Sequence, residues 1–170
     1  MTKAIILNVK PYLDKDLMVE LFTSNYGRIR AFAKYAQSKK PRFGGLLNTF
    51  NYVDASLSQR STTFGVHDMV LIQPFNSLTS NYKKLSLGFR MLEAIRATTQ
   101  VNNENGALFD LTIHYLMKLD EAVSYDSFMT EWYFMMLECE GLISEPMNLS
   151  ENEYRKMLES YTGVLLKGSL

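Results

Sequence analysis

The stretch that decides the fold is Arg28-Ile29-Arg30-Ala31-Phe32-Ala33-Lys34-Tyr35. Small or aliphatic side chains at positions 29, 31 and 33 alternate with cationic or aromatic side chains at positions 28, 30, 32 and 34. Because successive side chains of a β-strand point to opposite faces, this pattern predicts a strand with one buried face and one basic face.

Four more segments around this strand have the composition of short strands. Residues 5–10 and 17–23 are apolar and lie on either side of a polar bend at residues 13–16, and Pro11 is expected to end the first of them. Residues 53–58 alternate between apolar and polar, and a turn near residue 62 leads into a last strand at 64–72. Five short strands within about 75 residues predict a small closed barrel rather than an open sheet.

The second half of the chain changes to helical spacing. Apolar residues recur three or four apart near residues 85–95, 108–119 and 128–139, and Ser150 with Glu153 forms a capping box for a fourth helix. The Met- and aromatic-rich segment 128–139 is either core or a pocket or partner surface. We therefore expect an α+β protein, with a barrel domain at residues 1–78 and an all-helical domain at residues 79–170.

Charge is distributed unevenly along a chain whose formal net charge is zero. Residues 1–80 carry ten Lys or Arg and five Asp or Glu, a net charge of +5, and residues 81–170 carry eight and thirteen, a net charge of −5. Between Glu20 and Asp54 there is no acidic residue. The candidate DNA-binding residues, all in this stretch, are Arg28, Arg30, Phe32, Lys34, Tyr35, Lys39, Lys40, Arg42 and Phe43.

Cations with interleaved aromatic residues are typical of nucleic-acid binding, because cations contact phosphates and flat side chains stack on bases. None of these side chains forms a pattern that reads base sequence, so binding should be independent of sequence and weaken with salt. Two alternatives remain open: a solvated strand face, and an adaptor whose basic face binds an acidic protein.

No catalytic or metal-binding pattern is present in the sequence. Asp14 and Asp16 lie in a bend without a partner histidine, and His67 beside Asp68 has no nucleophile nearby. The one cysteine, Cys139, excludes an internal disulfide and a multi-thiolate metal site. The sequence has no apolar run long enough to span a bilayer. We therefore expect a cytoplasmic protein that is not an enzyme and has no cofactor or metal.

The order of these features resembles the RecO family of bacterial recombination mediators. Residues 11–16 resemble the family's Tyr-x-Glu-x-Asp element, and Thr23 through Gly27-Arg28 resembles its Thr-x-x-x-Gly-Arg turn. Residues 33–43 followed by 47–50 resemble its basic loop and Leu-x-x-Phe stretch, although Tyr35 replaces the usual glycine after Lys34. The resemblance covers most of residues 4–75.

The resemblance implies an N-terminal OB-fold followed by a helical domain. It also implies binding to single- and double-stranded DNA, strand annealing, and cooperation with RecR in loading RecA onto DNA covered by single-strand-binding protein (SSB). The chain is a short form that lacks the family's four-cysteine zinc module, so zinc is not expected. In the family the helical domain receives the acidic, Phe-ending tail of SSB, for which the candidate residues are Lys83, Lys84 and Arg90.

Overall fold

The first half of the chain forms a five-stranded closed barrel. A computed structural model describes residues 1–39 and 42–167, so Lys40 of the predicted site lies outside the described residues. The strands are β1 (Thr2–Leu13), β2 (Asp16–Thr23), β3 (Gly27–Ala33), β4 (Tyr52–Arg60) and β5 (Thr63–Gln73). Their order around the barrel is β1-β2-β3-β5-β4, with β4 pairing back to β1. This is the arrangement of an OB-fold, and it confirms the fold class predicted from the sequence.

Strand β3 has the predicted alternation. Ile29, Ala31 and Ala33 are fully buried in the barrel core, whereas Arg30 between them is exposed. The β2–β3 ladder is regular from Leu17 opposite Ala33 to Thr23 opposite Gly27. Because a shift of one residue would bury the charged face, the hydrophobic pattern itself fixes this register.

The prediction that Pro11 ends the first strand is wrong. Strand β1 continues to Leu13, and Pro11 lies opposite Leu17 in the β1–β2 ladder. The register shifts between Pro11 and Leu13. A proline lacks the N–H that a regular ladder needs, but it is tolerated at strand edges and bulges, where that donor is not required.

The second half contains five helices within the described residues. They are α1 (Asn76–Ser80), α2 (Tyr82–Thr98), α3 (Gly106–Glu121), α4 (Phe128–Cys139) and α5 (Glu151–Thr162). The short α1 lies in a stretch interpreted from the sequence as a boundary. Gly141 follows α4 with φ of 72°, and the capping box of Ser150 and Glu153 is complete at the start of α5.

The chain forms two compact units that differ from a simple division into halves. The first comprises Met1–Phe75 together with Val101–Phe109, and the second comprises Asn76–Gln100 and the described residues from Asp110 onward. The domain boundary near residue 78 stays a prediction. The inclusion of residues 101–109 in the barrel unit has no signal in the sequence.

Residues 101–109 extend and cover the barrel. Val101 forms a parallel bridge with Arg28, and the N–H of Asn102 donates to the carbonyl of Arg28 over 2.9 Å. Phe109 packs edge-on against Phe22, with ring centroids 5.6 Å apart. Both rings are buried, so the segment contributes to the core of the unit and not only to its surface.

The second unit has its own aromatic core. Trp132 is fully buried, and its ring centroid lies 5.3 Å from that of Tyr115. The α4 residues that are buried are Phe128, Met129, Trp132, Tyr133, Met136 and Leu137. Most of the Met- and aromatic-rich segment is therefore core. No helix in the described part of the chain is long and apolar enough to cross a membrane.

Candidate nucleic-acid interface

A groove opens where β3 and β5 meet. These parallel strands pair at only two positions, Ala31 with Phe64 and Phe32 with Gly65, before they diverge. The space between them has a volume of about 530 Å³. Its lining comes from β1 to β5 and the loop after β3: Tyr12, Leu13, Asp16, Phe32, Lys34, Arg42, Ser58, Arg60, Thr63, Phe64, Gly65, Val66 and His67.

Three exposed cations surround the groove. Lys34 follows β3, Arg42 lies in the loop after it, and Arg60 ends β4. Arg42 is held in place, because its Nη2 donates to the carbonyl of His67 over 2.5 Å and its guanidinium lies 5.5 Å from the ring centroid of Phe43. Cations from the loop after β3 and from the end of β4 thus line the same groove, and such a cluster attracts a phosphate backbone.

Two aromatic rings form one wall of the groove. The rings of Tyr12 on β1 and Phe32 on β3 have centroids 4.5 Å apart and planes tilted by 54°. Tyr12 is 53% exposed, and Phe32 is half-buried beneath it. An exposed ring that is supported by a second ring offers a rigid apolar face, which is what an unpaired base needs for stacking.

The outer face of β3 carries two arginines in different states. Arg28 Nη1 lies 2.9 Å from Glu20 Oε1 on β2, and both side chains are largely buried. Arg30 lies directly opposite Glu20 in the ladder but is exposed, and its side chain makes no hydrogen bond or ion pair with any described residue. Because Glu20 neutralises Arg28, Arg30 is the stronger attractor of an external anion.

The remaining residues of the predicted site lie at the end of β3 and in the loop. Tyr35 is 59% exposed, and its backbone N–H donates to Asp16 Oδ1 over 2.9 Å. Lys39 is exposed. Phe43 is only 4% exposed and belongs to the barrel core. In this structure Phe43 therefore completes the packing, whereas the rings of Tyr35 and Phe32 are the more accessible ones.

The site predicted from the sequence contains only three of the residues that line the groove, Phe32, Lys34 and Arg42. Among the others, Tyr12, Arg60 and His67 lie outside the acid-free stretch, and strands β1, β4 and β5 bring them to the groove. Tyr12 and Arg60 lie just beyond the predicted strands at residues 5–10 and 53–58, and the sequence analysis gave neither of them a role. Only the barrel closure places them together.

The helical unit places the three candidate partner-binding cations in unlike environments. Lys83 is exposed, whereas Lys84 is buried with Nζ donating to Ser77 Oγ over 2.8 Å and to the carbonyl of Asp120 over 2.7 Å. Arg90 is buried and forms an ion pair with Glu151. Burial raises the pKa of Tyr133, although the neighbouring Arg90 guanidinium acts in the opposite direction. Lys84 and Arg90 thus stabilise the fold of the unit.

The described residues contain no cluster of three or more His, Cys, Asp or Glu side chains able to hold a metal ion. Burial is the largest cause that raises the pKa of Cys139, so this thiol is a poor nucleophile at neutral pH. The groove itself carries charge and aromatic surface. Its arrangement is suited to binding.

The first 83 residues match the family model described as "Recombination protein O N terminal". Curated relatives extend the similarity into the helical unit. The DNA repair protein RecO of Thermodesulfovibrio yellowstonii is 30% identical over 83% of this chain and 55% of its own length. The DNA repair protein RecO of Anaeromyxobacter dehalogenans is 26% identical over 82% of this chain and 56% of its own length.

A third relative gives the same result. The DNA repair protein RecO of Alkaliphilus metalliredigens is 26% identical over 83% of this chain and 58% of its own length. The chain therefore spans little more than half the length of these relatives. The family resemblance predicted from the sequence is confirmed.

Proposed function

Because this chain belongs to the RecO family through its first 83 residues, we propose that its barrel binds DNA in recombinational DNA repair. The observation that carries the proposal is the groove between β3 and β5, where Lys34, Arg42 and Arg60 face the same space as the Tyr12–Phe32 ring pair. Such a combination of cations and stacking surface binds nucleic acid without reading its sequence.

The groove and the outer face of β3 contact DNA in different ways. A single strand lies in the groove, where its phosphates meet the three cations and a base stacks on Tyr12. A duplex contacts the exposed cations Arg30 and Lys39, outside the groove, through its phosphates. The protein therefore binds both single- and double-stranded DNA, and both interactions weaken with salt.

Strand annealing follows from charge neutralisation. Two complementary strands repel each other through their phosphates, and a cationic surface that binds both lowers this repulsion. No covalent bond is made or broken, so the protein acts as a mediator and not as an enzyme. Sequence-independent binding is required for this role, because any pair of complementary strands must be accepted.

The family resemblance supports the proposal that this mediator has protein partners. RecR and the C-terminal tail of SSB are bound during loading of RecA onto SSB-coated DNA, in the RecFOR pathway of the bacterial cytoplasm and nucleoid. Of the three candidate cations, the exposed Lys83 is the one available to an acidic tail, since Lys84 and Arg90 are buried and bonded within the unit.

A second candidate function is an adaptor in which the same basic groove binds an acidic protein. Lys34, Arg42 and Arg60 would serve either partner. The exposed Tyr12 ring favours DNA, because an acidic peptide gains little from a stacking face supported by a second ring. Competition with poly-glutamate therefore distinguishes the two functions. When poly-glutamate and DNA are present at equal concentrations of negative charge, the protein should remain bound to DNA.

The proposal is tested by the affinity for a fluorescent dT oligonucleotide and for a duplex across a salt series. The variant Lys34→Ala/Arg42→Ala/Arg60→Ala should bind more weakly, and its slope of log affinity against log salt should fall by about 2, since each single-strand phosphate contact contributes about 0.7. A matched control removes three exposed cations outside the groove, Lys10, Lys83 and Lys156, and should keep the slope. Wild-type protein that binds no DNA at low salt, or whose affinity ignores salt, would contradict the proposal.

A further inference from the structure

Tyr35 has a backbone conformation that its side chain disfavours. Its φ is +59°, in the left-handed region where the Cβ of an L-residue approaches its own backbone. Phe50 and Phe75 also have positive φ, but their rings are buried in the protein, and this packing explains why large residues remain there. Tyr35 is 59% exposed, and its ring packs against no aromatic ring of a described residue.

Two hydrogen bonds to residues at the β1–β2 turn hold the backbone at Tyr35 and Gln37 in place. Asp16 Oδ1 accepts the N–H of Tyr35 over 2.9 Å, and the carbonyl of Lys15 accepts the N–H of Gln37 over 2.9 Å. These bonds connect the chain after β3 to the turn before β2. The backbone of Tyr35 is fixed, whereas its ring is left accessible to solvent.

This fixed position lies at the rim of the groove. Lys34, the preceding residue, and Asp16, the hydrogen-bond partner, both line it. Residues in disfavoured backbone conformations persist where the surrounding structure imposes them, and they cluster at ligand-binding sites. A ligand would explain why a large ring that is mostly exposed and has no aromatic partner among the described residues stays at such a position.

We propose that Tyr35 is a stacking platform for an unpaired base at the rim of the groove, positioned by Asp16, and that it makes the site select single strands over duplex. This inference rests on the proposed function of the groove. In a duplex the faces of the bases are covered by their neighbours, so a side chain at the rim can stack only on a base of a single strand. The contribution of Tyr35 should therefore be absent from duplex affinity.

The test is the variant Tyr35→Gly, for which stability and affinity should change in opposite directions. Glycine adopts positive φ without steric cost, so the melting temperature should rise by about 1–4 °C. The affinity for a dT oligonucleotide should fall by about 5- to 100-fold, the range that loss of one base–aromatic stack implies. Affinity for a duplex of the same length should change by less than about twofold.

Three controls separate stacking from other effects. Tyr35→Phe keeps the ring and should bind the oligonucleotide as wild type does. Asn102→Gly changes an exposed residue of nearly the same φ, +60°, and should leave affinity unchanged. An oligonucleotide with abasic sites keeps its phosphates but has no bases to stack, so wild type and Tyr35→Gly should bind it equally.

The outcomes distinguish this inference from the proposed function. If wild type binds single strands with the expected salt dependence but Tyr35→Gly binds as tightly, the stacking role of Tyr35 is wrong and the groove remains a binding site. A variant that loses stability together with affinity would show that the ring is structural. Equal losses for duplex and single strand would overturn the selectivity. If wild type binds no DNA, the proposed function itself fails.

Discussion

The carbonyl oxygen of Asn103 occupies the space where a side chain on Gly27 would begin, only 1.8 Å from an ideal Cβ position. Gly27 also has φ of +62° at the start of β3. Two independent constraints therefore require glycine at this position. The close approach joins residues 101–109 to the strand that carries the basic face, and it explains why this segment belongs to the barrel unit.

Gly27→Ala should destabilise the protein by roughly 3 kcal/mol, since the new methyl group must displace backbone and adopt a disfavoured φ. The measurement is the free energy of unfolding from urea denaturation. Gly44→Ala is a matched control, because Gly44 has φ of +54° but nothing within 4 Å of its Cβ position. The control should lose only about 1 kcal/mol, the cost of the backbone conformation. Equal losses for the two variants would show that Asn103 does not restrict Gly27.

Phe109→Ala should destabilise the barrel unit by about 3–5 kcal/mol. The ring of Phe109 lies 5.6 Å from that of Phe22 and 6.4 Å from that of Tyr52, so its removal leaves a cavity among aromatic side chains. Met117→Ala on the same helix α3 is the control, because Met117 is 40% exposed, and it should cost less than about 1 kcal/mol. Thermal unfolding of both variants checks the result, and similar melting temperatures would contradict the role given to residues 101–109.

The strand and helix patterns were predictable because each is local. The alternation of residues 28–35 predicted β3, and the spacing of Ser150 and Glu153 predicted the start of α5. The closure of five strands into a barrel followed from their number and length. Pro11 was misjudged because a proline in an isolated sequence indicates a strand end, whereas a ladder tolerates it beside a bulge.

The groove could be predicted only in part, for a physical reason. The acid-free stretch contains Lys34 and Arg42, but Tyr12, Arg60 and His67 lie outside it, on strands that only the closed barrel brings to the groove. The sequence also does not show which cations form ion pairs. Arg28 and Arg30 have the same role in the alternating pattern, yet only Arg28 is paired with Glu20 in a partly buried bridge.

Arg30→Ala should weaken duplex binding and lower the slope of log duplex affinity against log salt by about 0.9, the loss of one phosphate contact on duplex DNA. Arg28→Ala should change DNA affinity less, because Glu20 already neutralises this charge, but it should destabilise the protein by about 1 kcal/mol because a partly buried ion pair is lost. Glu20→Gln is the converse variant and should raise DNA affinity by unmasking Arg28. Salt-dependent binding isotherms and urea denaturation measure the two effects, and an Arg28→Ala variant that loses more affinity than Arg30→Ala would contradict this division.

Replacement of Lys84 by alanine should lower the stability of the protein, whereas replacement of Lys83 should lower its affinity for an acidic peptide. Lys84→Ala removes donors to Ser77 Oγ and to the carbonyl of Asp120, and it should cost about 1–3 kcal/mol of stability. Lys83→Ala alters an exposed side chain and should change stability by less than about 0.5 kcal/mol. Of the two variants, Lys83→Ala is the one that should stay fully folded and bind an acidic, Phe-ending peptide more weakly than the wild type. A peptide affinity that Lys83→Ala leaves unchanged would move the predicted tail site away from the start of α2.

The capping box of α5 should make stability depend on acid pH. The Ser150 hydroxyl and backbone N–H donate to Glu153 Oε2 over 2.7 and 2.8 Å, and these bonds hold the pKa of Glu153 below its ordinary value. A carboxylate whose pKa is lower in the folded state stabilises the fold fully above its ordinary, unfolded-state pKa, and this contribution is lost as pH falls through the lower folded-state pKa.

Ser150→Ala should therefore lower the free energy of unfolding by about 1 kcal/mol at pH 7, a typical value for loss of an N-cap. In acid the loss should be smaller, because protonation of Glu153 has already weakened the capping box of the wild type. Ser150→Asp is the control, since a carboxylate also accepts the N–H of Glu153 at the helix N-terminus, but it sets a second negative charge beside Glu153. It should retain most of the stability at pH 7. Urea denaturation of the three proteins between pH 7 and pH 3 measures these differences. A cost of Ser150→Ala that stays constant over this range would show that the Glu153 carboxylate contributes nothing to the cap.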